Sequence, residues 1–279
     1  MSLESVQSAV ARFVEQARAG ADEGPVLIAT DFDGVLAPLG DDPSASRPTV
    51  AAAAALVRLA RLPHERLRLA LVSGRHLETL AQLALAPSGT ILVGSHGAER
   101  GEIRQDPSED SSTRLPDVER APFDLVPEQE ALLRDVTTGL DEIVENVDGA
   151  WVERKPSAAV LHTRLSTETD AETVSTRAVA LGERLGAHVM SGKNVVEIAV
   201  VETSKGEALL ALREELGATV VFYMGDDVTD ERAFAVLGAD DLTVKVGSGE
   251  TAALVRVADT DEAADLLADL ADALEHALA

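Results

Sequence analysis

Two kinds of hydrophobic pattern divide this chain. From residue 26 to about 97, and again from about 205, short runs that are apolar at every position alternate with stretches of helical period. VLIAT (26–30) precedes the helical TVAAAAALVRLARL (49–62). LRLALVSG (67–74) precedes HLETLAQLAL, and TILVGSHG (90–97) follows. Late in the chain come helical KGEALLALREELG (205–217), the apolar VVFYMGDD (220–227), helical TDERAFAVL (229–237) and LTVKVG (242–247), then a long terminal helix. A strand that is apolar throughout must be covered on both faces. The alternation therefore predicts an α/β fold, a doubly wound, Rossmann-like parallel sheet.

The middle has a different period. Residues 101–122 are polar and interrupted by proline, which suggests a hairpin edge and linker. A helix is expected over about 127–147 and another over about 170–185. AWVERKP, AAVLHTR, AHVMSG and NVVEIAV alternate apolar with polar, the signature of strands with one wet face. This section is expected to be a small antiparallel α+β domain inserted as 122–202 into a core formed by 1–121 and 203–279. No internal repeat or low-complexity segment interrupts the scheme.

Composition restricts the partners. The chain has 279 residues, 46% hydrophobic, enough for two domains. Its formal charge of −25 disfavours nucleic acid and anionic membranes. An anionic substrate must therefore be held by a local cationic site. There is no cysteine, which excludes disulfides and thiol chemistry. The first 21 residues read as an amphipathic helix, not a signal peptide, and no apolar run approaches the ~18 residues of a membrane span. A cytoplasmic location is expected; oligomeric state is not legible.

Candidate chemistry gathers where the apolar runs end. Asp31 and Asp33 follow VLIAT, and Asp226, Asp227 and Asp230 follow VVFYM. Ligands of open parallel sheets bind beyond the carboxyl ends of the strands. If these two strands are neighbours, their carboxylates converge and call for a divalent cation, for which Mg2+ suits the oxygen-only set. Ser73, Gly74 and Arg75 end LRLALVSGR, and Lys205 opens a helix, whose N-terminus is itself an anion site. The set describes a phosphate site in which Asp31 attacks phosphorus and Asp33 exchanges the proton. Taken singly, DFDG reads equally as a turn, and GDDVTDE as a solvated helix cap. A calcium loop is excluded, because its sixth and twelfth positions would be Leu36 and Asp42.

DFDGVLAPL, LVSGR, KGEAL and MGDDVTDE resemble the four motifs of the haloacid dehalogenase superfamily of phosphatases. GSHGAE (94–99), ERKPSAAVLHTR (153–164), KNVVE (193–197) and GDDVTDERAF resemble the trehalose-6-phosphate phosphatase family. The resemblance implies an α/β core with an inserted cap. It implies Asp31 as nucleophile, Asp33 as general acid/base, and Ser73 and Lys205 as phosphate-holding residues. The implied Mg2+ ligands are Asp31, the main-chain carbonyl of Asp33, and Asp226, supported by Asp227 and Asp230. It associates Glu153, Lys155, Arg164, Lys193 and Glu197 with sugar binding. Val35 stands where Thr is commoner, and AVVETS (199–204) where the family often has an Arg-Pro pair.

The cap residues have a local rationale as well. Residues two apart in a strand share a face, which groups Trp151 with Glu153 and Lys155, His162 with Arg164, and Lys193 with Glu197. A mixed-charge face can be simply wet, and Trp151 reads as cap packing. Lysine, however, occurs only at 155, 193, 205 and 245, and two of these lie on the grouped faces. His96 and Glu99 either reach substrate or order a turn. The expected activity is Mg2+-dependent hydrolysis of a small-molecule sugar phosphate, trehalose 6-phosphate. Alternatives are another capped sugar phosphatase (for sucrose phosphate, mannosyl-phosphoglycerate or a hexose phosphate), a phosphosugar mutase, or a non-catalytic phosphate or metal sensor on the same fold.

Overall fold

A computed structural model describes residues 5–105, 116–122, 125–201 and 203–278; part of the polar stretch before residue 116 lies outside these. The chain begins with α1 (Val6–Ala19), β1 (Val26–Thr30), α2 (Val50–Leu59), β2 (Leu67–Val72), α3 (Leu77–Ala84) and β3 (Ile91–Gly94). The antiparallel strands β4 (Glu99–Gln105) and β5 (Asp117–Arg120) come next. The middle section consists of α4 (Pro127–Val144), β6 (Trp151–Arg154), β7 (Ala158–His162), α5 (Glu168–Leu185), β8 (His188–Gly192) and β9 (Val195–Ala199). The chain then forms α6 (Lys205–Leu216), β10 (Val221–Gly225), α7 (Val228–Val236), β11 (Leu242–Val246), β12 (Val255–Val257) and α8 (Thr260–Ala277). By contact density it divides into Met1–Ala121 with Thr203–Ala279, and Pro122–Glu202.

In the first unit the strands are ordered β12-β11-β10-β1-β2-β3-β4-β5. The six from β12 to β3 are parallel, and β4 and β5 close the edge antiparallel. The five residues of β1 are all buried, and alternation sends them to two cores. Val26 and Ile28 join Phe13 of α1, Leu56 of α2 and Leu267 of α8 on one face. Leu27 and Ala29 join Leu209 of α6 and Phe234 of α7 on the other. Burying a Leu or Ile fully contributes about 1.5–3 kcal/mol, so this strand is fixed from both sides. That fixes Asp31, whose N–H donates to the Met224 carbonyl at 2.8 Å.

The chain proceeds from β1 through β2 to β3 on one side and returns through β10 and β11 on the other. The strand order therefore reverses between β1 and β10, where such sheets open a crevice. The doubly wound reading holds. Two details differ from the sequence expectation. The three-residue β12 is too short to leave a periodic signal. TILVGSHG is not all strand, because β3 stops at Gly94 and Ser95–Gly97 form a tight turn.

The second unit is a four-stranded antiparallel sheet, β6-β7-β9-β8. Leu161, Val196 and Ile198 pack under Leu140 of α4 and Ala178 of α5. The alternate residues, Trp151, Glu153, His162 and Glu197, occupy the opposite face. No helix of the described residues is long and apolar enough to cross a membrane.

Candidate active site

Asp31, Asp33, Ser73, Arg75, His96, Lys205, Asp226 and Asp227 line one cavity of about 480 Å3 at the crevice. The candidate residues of the four core motifs thus converge, with Asp230 directly beneath.

Lys205 is the centre of the charge arrangement. It is 1% exposed at the start of α6. Its Nζ donates to Asp31 Oδ2 at 2.6 Å and to Asp230 Oδ1 at 2.8 Å, with Asp227 Oδ1 at 3.8 Å. Asp230 is fully buried and fully engaged. Its Oδ1 also accepts from the Tyr223 hydroxyl at 2.6 Å, and its Oδ2 accepts from the N–H groups of Asp226 and Asp227 at 2.9 and 3.0 Å. Asp227 caps α7, accepting from the N–H groups of Thr229 and Asp230. Asp230 and Asp227 therefore shape the loop that carries Asp226, and Asp230 has no lone pair to spare for a ligand.

Asp31 has one oxygen on Lys205 and the other on the Phe32 N–H at 2.6 Å. Burial pushes its carboxyl up to about 8 against the pull of Lys205, and Asp230 adds to the rise. Burial likewise pushes Asp226 up to about 6, with Asp230 and Asp227 contributing. No donor among the described residues reaches the Asp226 carboxylate, although Lys245 Nζ holds its main-chain carbonyl at 2.5 Å. Asp31, Asp226 and Asp230 bring carboxylate oxygens within 4.8 Å of one another. Two under-neutralised carboxylates in an all-oxygen setting fit a hard divalent cation. Since Asp230 is engaged, Asp31 and Asp226 are the available side chains.

Glycine makes this approach possible. Gly34 has φ +72°, and a Cβ there would lie 2.1 Å from Asp226 Oδ2. At Gly74 a Cβ would meet the His96 ring at 2.5 Å, so the space that Gly74 leaves open is taken by His96.

Asp33 is held by Arg75 in a two-pronged pair, Nε to Oδ2 at 2.5 Å and an Nη to Oδ1 at 2.7 Å; Arg75 also donates to Ser46 Oγ. The sequence alone suggests only a substrate contact for Arg75. Ser73 is 2% exposed, and its hydroxyl oxygen accepts from the Arg75 N–H at 3.2 Å, which leaves its proton to donate. Ser95 and His96 adopt φ +48° and +55°. Each such conformation in a non-glycine residue costs about 1–3 kcal/mol and must be imposed by its surroundings.

The five candidate sugar residues all lie in the second unit. Lys155 Nζ donates to Glu197 Oε2 at 2.8 Å, and His162 Nε2 lies 2.6 Å from Glu153 Oε2. Trp151 stacks on His162, centroids 4.8 Å apart, with the Arg164 guanidinium 6.0 Å over the indole. Trp151 is therefore part of this polar face and not of the second unit's interior. Strand alternation does not place Lys193, which sits with Asn194 in the exposed turn between β8 and β9. Sequence reasoning missed Tyr223, Ser46 and the role of Lys245, and although it put His162 on a face with Arg164 it did not give the contacts of His162 with Glu153 and Trp151. The scarcity of lysine is the one available signal, and it concerns only Lys245.

The sequence model of the trehalose-phosphatase family matches residues 29–271. Trehalose-6-phosphate phosphatase of Escherichia coli K12 is 34% identical over 214 residues, covering 75% of this chain and 73% of that protein. Trehalose-phosphate phosphatase of Mycobacterium avium is 32% identical over 264 residues, covering 88% of this chain; the chain spans 62% of that relative's length. In fold, the chain is similar to Aspergillus fumigatus trehalose-6-phosphate phosphatase, with a TM-score of 0.63, 24% identity and coverage of 94% and 97%. A match over residues 29–271, together with a relative above 30% identity over most of both chains, establishes the relationship: this chain belongs to the trehalose-phosphatase family.

Proposed function

We propose that this chain hydrolyses trehalose 6-phosphate to trehalose and inorganic phosphate through an aspartyl-phosphate on Asp31. The observation that carries the reading is Asp31 itself, a buried carboxylate at the switch point, in contact with Lys205 and facing the cavity. The named activity of the relatives supports the choice of substrate. In the first half-reaction an Asp31 oxygen bonds to phosphorus while the bond from phosphorus to the sugar oxygen breaks. Asp33 gives its proton to that oxygen as trehalose leaves. In the second half Asp33 takes a proton from water, whose oxygen attacks phosphorus and frees the Asp31 carboxylate. Ser73 and Lys205 hold phosphate oxygens. Asp33 can serve only when its pair with Arg75 opens, and an entering phosphate offers Arg75 a competing anion.

Asp31, Asp226 and the main-chain carbonyl of Asp33 would hold Mg2+, which when bound neutralises phosphate charge. Inorganic phosphate release should therefore require Mg2+, fall to background with excess chelator and be inhibited by Ca2+, whose longer bonds and 6–8 ligands would tie up both oxygens of Asp31. Full activity after exhaustive dialysis against chelator would remove the metal from the scheme.

The inserted unit is assigned to sugar recognition, with 122–202 as cap and the remainder as phosphatase core. The cavity residues meet any phosphomonoester alike, so selection must come from elsewhere. The polar face of Glu153, Lys155, Glu197 and Arg164, with Lys193 in the adjoining turn, offers the donors and acceptors that a polyol needs. A cytoplasmic location and freedom from nucleic acid belong to the same reading, in keeping with the charge of −25. The test is phosphate release from trehalose 6-phosphate, sucrose 6-phosphate, glucose 6-phosphate and para-nitrophenyl phosphate. Preference for the first supports the assignment; preference for another sugar phosphate selects the rival.

Glu153→Ala and Glu197→Ala extend this test. A hydrogen bond to a charged group contributes about 1.5–3 kcal/mol, so each change should lower kcat/KM for trehalose 6-phosphate roughly 10- to 150-fold. Para-nitrophenyl phosphate should be nearly unaffected. An equal fall on both substrates would withdraw sugar recognition from these residues.

A further inference from the structure

We infer that Glu99 is a positioning residue for the cavity: its buried carboxylate clamps the strained Ser95–His96 turn to the segment 73–77, and so fixes Ser73 and His96. The inference rests on the phosphatase reading, which gives Glu99 no part in the chemistry.

Glu99 opens β4 and is 6% exposed, yet it does not line the cavity. Its Oε2 accepts from the Ser95 hydroxyl at 2.6 Å and from the Leu77 N–H at 3.2 Å, and His76 Nδ1 lies 3.1 Å away. Arg120 approaches Oε1 at 3.8 Å. Burial acts to raise this carboxyl, but the bonds from His76, Ser95 and Leu77 outweigh it and hold it at about 2. One carboxylate thus joins three pieces of chain: the start of α3, the turn after β3, and β4. The helix needs it, because its own cap residue, His76, makes no side-chain capping bond.

The turn needs it more. Ser95 and His96 are consecutive non-glycine residues in the left-handed region, which neither adopts by preference. The turn is also bonded directly to the loop that carries Ser73. Ser95 N–H donates to the Arg75 carbonyl at 2.7 Å, and His96 N–H donates to the Ser73 carbonyl at 3.0 Å. The His96 ring then lies against Gly74. Loosening Glu99 would release the turn, and the turn would take the backbone of Ser73 with it. A plain helix cap would account for the Leu77 bond alone. It would not account for the Ser95 hydroxyl, nor for a strained turn bonded to a phosphate-holding loop.

The test uses Glu99→Gln and Ser95→Gly. Glutamine keeps the shape but loses the charge, so kcat/KM for para-nitrophenyl phosphate should fall roughly 10- to 100-fold. Affinity for inorganic phosphate, measured by calorimetry with Mg2+, should weaken alongside. Amide hydrogen exchange should rise together in segments 73–77 and 94–98. Ser95→Gly separates positioning from stability. Glycine takes φ +48° without strain, so the variant should melt close to the wild type, yet it loses the hydroxyl that Glu99 holds and should also lose activity. Unchanged exchange in both segments of Glu99→Gln overturns the clamp. So does raised exchange with wild-type kcat/KM, or a Ser95→Gly variant as active as the wild type. If the wild type releases phosphate from no monoester, the proposed function fails, while exchange and phosphate binding still decide the role of Glu99.

Discussion

Asp31→Asn should abolish phosphate release, by a factor on the order of 10^4 or more, while the metal-free protein melts no lower than the wild type. The loss follows from the proposed route. An amide cannot attack phosphorus, and a barrier lowered through a covalent intermediate returns when the attacking group is gone. The stability half follows from burial. Folding raises the Asp31 carboxyl from its ordinary value to about 8. Across the pH interval between those values the folded state binds more protons than the unfolded one, so this group makes stability fall as pH rises. Asparagine carries no charge to desolvate and removes repulsion with Asp230. Phosphate release and thermal melting without Mg2+, both at pH 7.5, check the two halves. A variant that keeps a tenth of wild-type turnover would place the nucleophile elsewhere.

Lys205→Met should produce the largest loss of stability among single changes at the site, about 3–5 kcal/mol, with turnover lost as well. The side chain is 1% exposed and holds Asp31 and Asp230, both buried. Those carboxylates together raise the lysine above its ordinary value, although burial opposes them. Methionine fills a similar volume but leaves both anions without their shared cation. Without the pull of Lys205 the Asp31 carboxyl, already raised by burial, would rise further and lose the contact that holds it for attack, and Asp230 would no longer hold the Asp226 loop under balanced charge. For a chain of this size each kcal/mol shifts the melting temperature roughly 2–4 °C, so a fall of about 6–20 °C is expected. Melting within a degree of the wild type would mean that the acidic cluster relaxes or protonates without cost. Lys205 would then not be what holds the cluster together.

The contrast between local and distant information explains what the sequence conveyed. VLIAT and VVFYM carry their structure within themselves: four or five apolar residues in a row demand cover on two faces, and Asp31 and Asp226 come just after such runs. The alternation in WVER and VVEIA likewise shows which side chains share the wet face. Pairings across distance leave no such trace. Nothing local to Arg75 indicates that its guanidinium closes on Asp33, 42 positions earlier. Nothing local to Glu99 indicates that its partners come from residues 76, 77 and 95. Trp151 reads as packing because aromatic residues usually fill cores, whereas its ring is taken up by His162 and Arg164. Strand parity groups Lys193 with Glu197, but Lys193 occupies a two-residue turn, where parity has no meaning.

The placement of lysine gives the protein a chemical handle. Three of the four ammonium groups are engaged: Lys155 on Glu197, Lys205 among three aspartates, and Lys245 on the Asp226 carbonyl. Burial shields Lys205, and its raised pKa keeps it protonated and non-nucleophilic. Lys193 alone is exposed, at the tip of a hairpin. An amine-acylating dye or crosslinker therefore meets one open lysine side chain in the whole sequence. Conjugation would mark the inserted unit at a single point and leave the aspartate cluster chemically untouched.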